Sequence, residues 1–464
     1  MKICARSLAC ALLLSITLAR PDAQQAPGSA PHKVALVGGM LLDGYEAPPI
    51  HHAAVLIDGD RITQVGPAAG MTIPKDYTVI DTSGRTMMPG MIELHAHLVI
   101  LGHGNYGTWF PWVEKHGGAS MLTRVMEISA RQLLSAGVTS AVDLGATLQP
   151  ALSIRDRIAR GEIPGPRMSM SGPWLTRTPG VFPLEYQIKV TSPEQAAQEV
   201  DKLAAAGVDV IKAHSGLTRE DYQAIADAAH KHRLRVHAHV YAETDVRNAL
   251  ETGIDVLTHA GSAGTAPPYS EQLITDIVNR GRPVVITAAH RSWVYPDTAA
   301  FPERLQDPQL KKDFPPDVYA EVQDSLKHWR ALGYFGRTDR EMLFRERGVK
   351  QFTDAGAVIG MGTDSGTPMN FHTEALWREA KVHVDMGMPP IRVISSLTRI
   401  GANILGKQRE LGTVEPGKLA DIIVVKGNPL YDILALSAVE TVIKGGVVHK
   451  GTAVAAPRGT ASQH

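Results

Sequence analysis

The stretch Ala206-Gly207-Val208-Asp209-Val210-Ile211-Lys212 reads as the end of a helix, a single-glycine turn and an apolar strand that closes on a lysine. Gly207 suits the left-handed conformation that caps a helix C-terminus, and the β-branched residue after it favours the next strand. The signature returns at Ala136-Gly137-Val138, Thr252-Gly253-Ile254 and Ala355-Gly356-Ala357. Helix starts are marked as well. Ser192-Pro193 with Gln195 is a capping box with proline at the first helical position, and Thr218 with Asp221 is a looser one. Strands and helices therefore alternate through the middle of the chain, with candidate strands near residues 90–98, 138–145, 167–172, 208–214, 235–240, 254–260, 283–288 and 357–364. Eight such units over roughly 270 residues predict an α/β fold of the (β/α)8 TIM-barrel type, whose usual size is about 250 residues. A doubly wound sheet would have fewer strands and a Gly-rich phosphate loop, which this sequence lacks.

Outward from residues 86–407, the expected barrel, the chain changes character. Val34-Ala-Leu-Val37, Ala54-Val-Leu-Ile57, Ile62-Thr-Gln-Val65 and Tyr77-Thr-Val-Ile80 are short β-runs, and Asp58-Gly59-Asp60 is a hairpin signal. Ala420-Asp-Ile-Ile-Val-Val425 and Val439-Glu-Thr-Val-Ile443 repeat the pattern, and a Gly445-Gly446 turn leads into Val447-Val448. Residues 33–85 and 408–454 are thus expected to build one small β-sandwich from both termini. An insertion at 289–339 separates strands seven and eight and carries Trp293, Tyr295, Phe301, Phe314, Tyr334 and Phe335. It lies on the face where barrel active sites form, so a lid and a packed surface decoration are both open readings.

The 464 residues hold 47 Lys+Arg and 47 Asp+Glu, with no charge run. A nucleic-acid binder would show a basic patch or stripe, so none is expected as a partner. At the N-terminus Lys2 and Arg6 flank an apolar run from Leu8 to Ala19, and a polar Pro/Gln/Gly-rich stretch follows. This pattern predicts a signal peptide over residues 1–23 and a secreted or periplasmic protein. The run is shorter than the ~20 apolar residues of a membrane span, so no stable anchor is expected. Both cysteines, Cys4 and Cys10, lie in this segment, which leaves the mature chain without disulfides or thiolate ligands.

Polar residues sit at the ends of the apolar strands. His95-Ala96-His97 follows Met91-Ile-Glu-Leu94, and side chains two apart on a strand point the same way, so both imidazoles could meet one metal. Lys212 ends its strand where a lysine is costly unless paired or modified. It reads either as an ion-paired or solvent-facing lysine, or as one that has reacted with CO2 to give a carboxylate-like carbamate. Arg235-Val-His237-Ala-His239 and Asp255-Val-Leu-Thr-His259 bring further histidines, and Gly360-Met-Gly-Thr-Asp364 ends the last strand in a carboxylate. A strand-end aspartate can instead cap the following helix.

The segments Met88-Pro-Gly-Met-Ile-Glu-Leu-His-Ala-His97, Val210-Ile-Lys212, Val236-His-Ala-His239, Leu257-Thr-His259 and Met361-Gly-Thr-Asp-Ser-Gly366 together resemble the amidohydrolase superfamily. The likeness is to its imidazolonepropionase-like, Xaa-Pro dipeptidase (prolidase) and Xaa-amino-acid carboxypeptidase branch. Gly412-Thr-Val-Glu-Pro-Gly-Lys-Leu-Ala-Asp421 resembles that family's return to its β-sandwich. The resemblance implies a binuclear centre of two divalent metal ions, usually zinc, with manganese or cobalt as alternatives. His95, His97 and Asp364 would hold one ion and His237 and His259 the other, with carboxylated Lys212 and a hydroxide as bridges. Asp364 would pass the proton of the attacking water to the leaving amine.

His239 stands where relatives often carry another residue, such as Tyr. With His214, His103 and His372 it is expected near a small-molecule substrate. The activity this implies is hydrolysis of an amide bond in a dipeptide or N-acyl amino acid. The alternative is the same centre acting on a lactone, carbamate or cyclic amide. Arg177 or Arg291 facing the metals would favour a substrate carboxylate. A mononuclear deaminase and a non-catalytic binding protein are the remaining readings. A homo-oligomer is expected.

Overall fold

The computed structural model describes residues 32–261, 268–290, 294–308, 310, 314–327, 329–331 and 347–451. The signal segment, Arg291, Trp293, Tyr334 and Phe335 lie outside them. No described helix is long and apolar enough to cross a membrane.

The barrel strands are Met91–Ala96, Val138–Asp143, Arg167–Met170, Val210–Ala213, Arg235–His239, Val256–Thr258, Val284–Val285 and Ile359–Gly360. The first three pair in parallel, and so do the last five in order. Backbone bonds join the two groups into a ring. The Asp209 N–H donates to the Met170 carbonyl at 2.9 Å, and the Leu94 N–H donates to the Met361 carbonyl at 3.0 Å. A parallel bridge from Ala96 to Ser365 extends the second junction toward the site.

The helix signals act as their chemistry requires. Gly207, at φ 91°, ends the helix Pro193–Ala206, and the Ser192 side chain accepts from the Gln195 N–H at its start. Thr218 and Asp221 form a reciprocal capping box before Arg219–Lys231. Two short strands were not anticipated, Trp174–Thr176 and Gln187–Lys189. The first continues strand three beyond Gly172-Pro173, where a left-handed glycine and a proline without N–H interrupt the ladder.

Both chain ends form two further sheets. Lys33–Val37 pairs with Ala53–Asp58 and Thr78–Asp81, and Ile422–Lys426 pairs with Val439–Lys444 and Arg85–Pro89. Leu36, Val55, Ile57 and Met87 from one end bury against Ile422, Val424 and Ile443 from the other. Arg85–Pro89 thus belongs to the sandwich although it crosses the boundary expected at residue 86. The chain passes to the barrel at Gly90, whose N–H bonds the Asp421 carbonyl. Direct entry into strand one at Met91 fixes the phase of the residues that follow.

Candidate metal centre

Period-two alternation on strand one sends Glu93, His95 and His97 to the same side. His95, His97 and Asp364 each offer a ligand atom, and these atoms lie within 4.8 Å of one another. Asp364 Oδ1 is 3.1 Å from His97 Nε2 and 3.6 Å from His95 Nε2. Asp364 reaches them from the turn after strand eight with φ at 59°, a conformation that non-glycine residues rarely adopt. Burial alone would raise its pKa, but hydrogen bonds from His290 and His97 and the nearby His259 and His95 hold it well below the usual carboxylate range.

Lys212 enters from the opposite side of the ring. Its Nζ lies 3.5 Å from His95 Nε2 and donates to Thr258 Oγ1 at 3.1 Å. Among the described residues no carboxylate lies within ion-pair distance of it, so both bland readings of this lysine, ion-paired or solvent-facing, fail. Burial pushes its pKa down to about 7, opposed by the charge of Asp364. His237 is the cross-strand partner of Lys212 and projects from the same face of the sheet. It is buried, and its Nδ1 has no hydrogen-bond partner among the described residues. Burial first, then Lys212 and Arg235, lower its pKa to about 3, so it is neutral. The His259 ring stands 4.5 Å from that of His95, with Nδ1 bonded to Thr287 Oγ1 at 2.8 Å.

The other sequence-derived residues divide. His214 stacks on His239 at 4.2 Å, and His239 meets His259 edge to face at 4.5 Å. Trp174 stacks on the outer side of His214 at 5.0 Å, so a row of rings leads from the centre toward the third strand. His103 turns elsewhere. It is buried, accepts from the Asn105 N–H and bonds Glu321 of the insertion at 3.1 Å. His372 is bonded at both nitrogens, to Ser365 Oγ and to the Ile100 carbonyl. Both therefore brace loops around the site. Arg177 forms a paired contact with Asp221 and is committed there.

Four residues of the site escaped the sequence reading. Glu93, fully buried beneath His95, accepts from the N–H groups of His95 and Thr363 and from Thr363 Oγ1. Burial raises its pKa to about 8 against the pull of those bonds. Its signal was present: it precedes His95 by two, on the same face. Asp143, also buried, accepts from Leu98 and Gly145 N–H groups and braces the loop after His97. Thr287 and His290 follow strand seven, and His290 Nδ1 lies 3.4 Å from Asp364 Oδ2. A histidine beyond a two-residue strand gave no periodic signal.

These residues fit a cation site. The donors are imidazoles, with those of His95 and His237 held neutral by burial, an ionised carboxylate and an amine shifted toward its free base. A buried nitrogen without a partner, such as His237 Nδ1, costs about 1–3 kcal/mol, which a ligand bond would offset. Nitrogen and oxygen donors of this kind suit zinc, and also manganese or cobalt.

The model of the amidohydrolase family matches residues 86–454, and the chain belongs to that family. It is 22% identical over 458 residues to a 5-methylthioadenosine/S-adenosylhomocysteine deaminase of Symbiobacterium thermophilum, covering 90% of this chain and 94% of that one. Its fold matches that of a candidate prolidase from Bifidobacterium longum at a TM-score of 0.68 and 26% identity, over 90% of this chain and 94% of that one. A Xaa-Pro dipeptidase with methionine bound in its active site gives 0.71 at 23% identity, over 90% of this chain and all of that one. The chain is therefore a hydrolase with a (β/α)8 barrel and a His-His-Asp cluster able to hold a divalent metal.

Proposed function

We propose that this protein is an exported, binuclear metal-dependent hydrolase of the amide bond in a dipeptide or N-acyl amino acid. The observation that carries the reading is Lys212: buried, without a carboxylate partner among the described residues and 3.5 Å from His95. A single-metal deaminase has no use for an amine there, whereas a carbamate on it would supply a second, bridging carboxylate. The dipeptidase-type folds matched above support the amide assignment, and the apolar run Leu8–Ala19 supports export.

Two bound cations would polarise the scissile carbonyl and make hydroxide available near neutral pH. His95, His97, His237, His259, Asp364 and carboxylated Lys212 would hold them. Asp364 is ionised, with Oδ1 toward the histidines and Oδ2 toward His290. Oδ2 is thus placed to accept a proton, and its low pKa favours returning that proton to the leaving amine. Trp174, His214 and His239 form the wall beside the reacting group.

The similarity to a deaminase over 90% of the chain favours one competing reading, release of ammonia from an aminopurine. The zinc-loaded full chain, with bicarbonate present, should be screened by mass spectrometry against dipeptides, N-acyl amino acids and aminopurine nucleosides. Free amino acids are the expected products, and deamination without amino-acid release would overturn the proposal. Asp364→Asn is expected to lower turnover by about 10²–10⁴-fold, the usual worth of a positioned proton carrier. Unchanged turnover would remove Asp364 from that role.

A further inference from the structure

The loop after strand seven touches the centre twice. Thr287 bonds His259 Nδ1 through its hydroxyl, and His290 faces Asp364 Oδ2. His290 is also tied at Nε2 to Tyr295 OH at 2.7 Å and to Thr367 Oγ1 at 2.9 Å. Thr287 has φ at 57°, and a β-branched residue in that region costs about 1–3 kcal/mol unless its surroundings hold it. The two residues between Thr287 and His290 make the hold. The Ala288 N–H donates to Glu379 Oε1 at 2.9 Å, and the Ala289 N–H donates to Oε2 at 2.7 Å.

Glu379 comes from a different element, the helix Ala375–Asp385, and is fully buried. Its Oε1 also meets His383 Nε2 one helical turn on, at 3.0 Å. A carboxylate inside a protein is costly unless its oxygens are bonded, and three donors satisfy this one. The same three donors need acceptors, and only a carboxylate offers two at that spacing. Glutamine would set an NH2 against one of the two backbone N–H groups.

We propose that Glu379 is the positioning residue of the centre: by clamping two successive amides it lets Thr287 and His290 reach His259 and Asp364 together. The inference rests on the metal-dependent reading of the site but not on the identity of the substrate. Glu379 touches neither ligand and acts through the loop.

The test uses the zinc-loaded full chain with Glu379→Gln, His290→Asn and the double variant, and reads zinc affinity by chelator competition. Substitutions behind metal ligands lower affinity about 10–100-fold, and a loss in that range is expected for Glu379→Gln. The visible spectrum of the cobalt-substituted variant should shift as well, because ligand geometry changes. If Glu379 works through His290, the double variant should bind zinc no more weakly than the weaker single variant, since coupled residues are not additive. Multiplied losses in the double variant would overturn the proposal. So would zinc affinity and cobalt spectrum that stay put while the melting temperature falls, the mark of a purely structural carboxylate. Should Glu379→Gln fail to fold, Glu379→Asp keeps the charge and withdraws it by one methylene. It should then lose part of the affinity, and wild-type affinity in the folded Glu379→Asp chain would sink the idea. None of these readouts needs a substrate, so failure of the amide assignment would leave them intact.

Discussion

Lys212 shows how one residue carries a chemical argument once its surroundings are known. At an ordinary lysine pKa, roughly one part in a thousand of the amine is free base at pH 7.5. At the value of about 7 imposed by burial, a large share is free base, and the free amine is the nucleophile that attacks CO2. Thr258 and His95 hold the nitrogen without neutralising it. We predict that zinc-loaded protein in 13C-bicarbonate shows a carbamate carbon resonance that Lys212→Ala lacks. The resonance should strengthen between pH 6 and 8 as the free base forms. A signal of equal size in Lys212→Ala would move the modification elsewhere.

Among the elements, the helix ends were the most legible part of the sequence, because a C-cap glycine is a local demand that no distant contact can override. Gly137, Gly207, Gly253 and Gly356 all adopt positive φ, from 72° to 92°. Gly207 and Gly137 separate two costs. A Cβ at Gly207 would meet nothing within 4 Å, whereas one at Gly137 would press on Val439, Met91 and Ile423 at 3.1–3.3 Å. Gly207→Ala should therefore lose only the left-handed penalty, about 1–2 kcal/mol, and Gly137→Ala should lose more. Urea unfolding of the two variants decides this, and equal losses would mean that the neighbours give way freely. The candidate ligands at the strand ends stand out for the same local reason, in that each ends an apolar run. What stayed hidden depends on partners distant in sequence. Glu379 reads as one more polar helix residue until strand seven is laid against it, and His103 reads as a pocket residue until Glu321 arrives from the insertion.

At the scale of the whole molecule, the sandwich is more than a cover for the chain ends, because it grips the barrel rim opposite the candidate metal centre. Asp421 pairs with Arg167 of strand three through two bonds of 3.0 and 3.1 Å, and it also accepts from the Gly445 N–H. Lys444 lies beside this pair and donates to the Gly165 carbonyl. Burial, with Arg167 adding repulsion and Asp421 opposing, lowers its pKa from 10.5 to about 8. The consequence for stability has a definite sign. Below about pH 8 the amine is protonated in both folded and unfolded chains, and the cost of burying the charge is present in full. Between about 8 and 10.5 the unfolded chain binds more protons than the folded one, so stability gains with rising pH. Lys444→Met removes this contribution. Relative to the native chain, the variant should stand best at pH 7, by at most about 3 kcal/mol before the unpaired Gly165 carbonyl takes back about 1. Its advantage should shrink steadily from pH 8 to 10. Urea unfolding of both chains at pH 7, 8, 9 and 10 measures the difference, and a gap that widens with pH would show that Lys444 enters the fold as a stabilised cation.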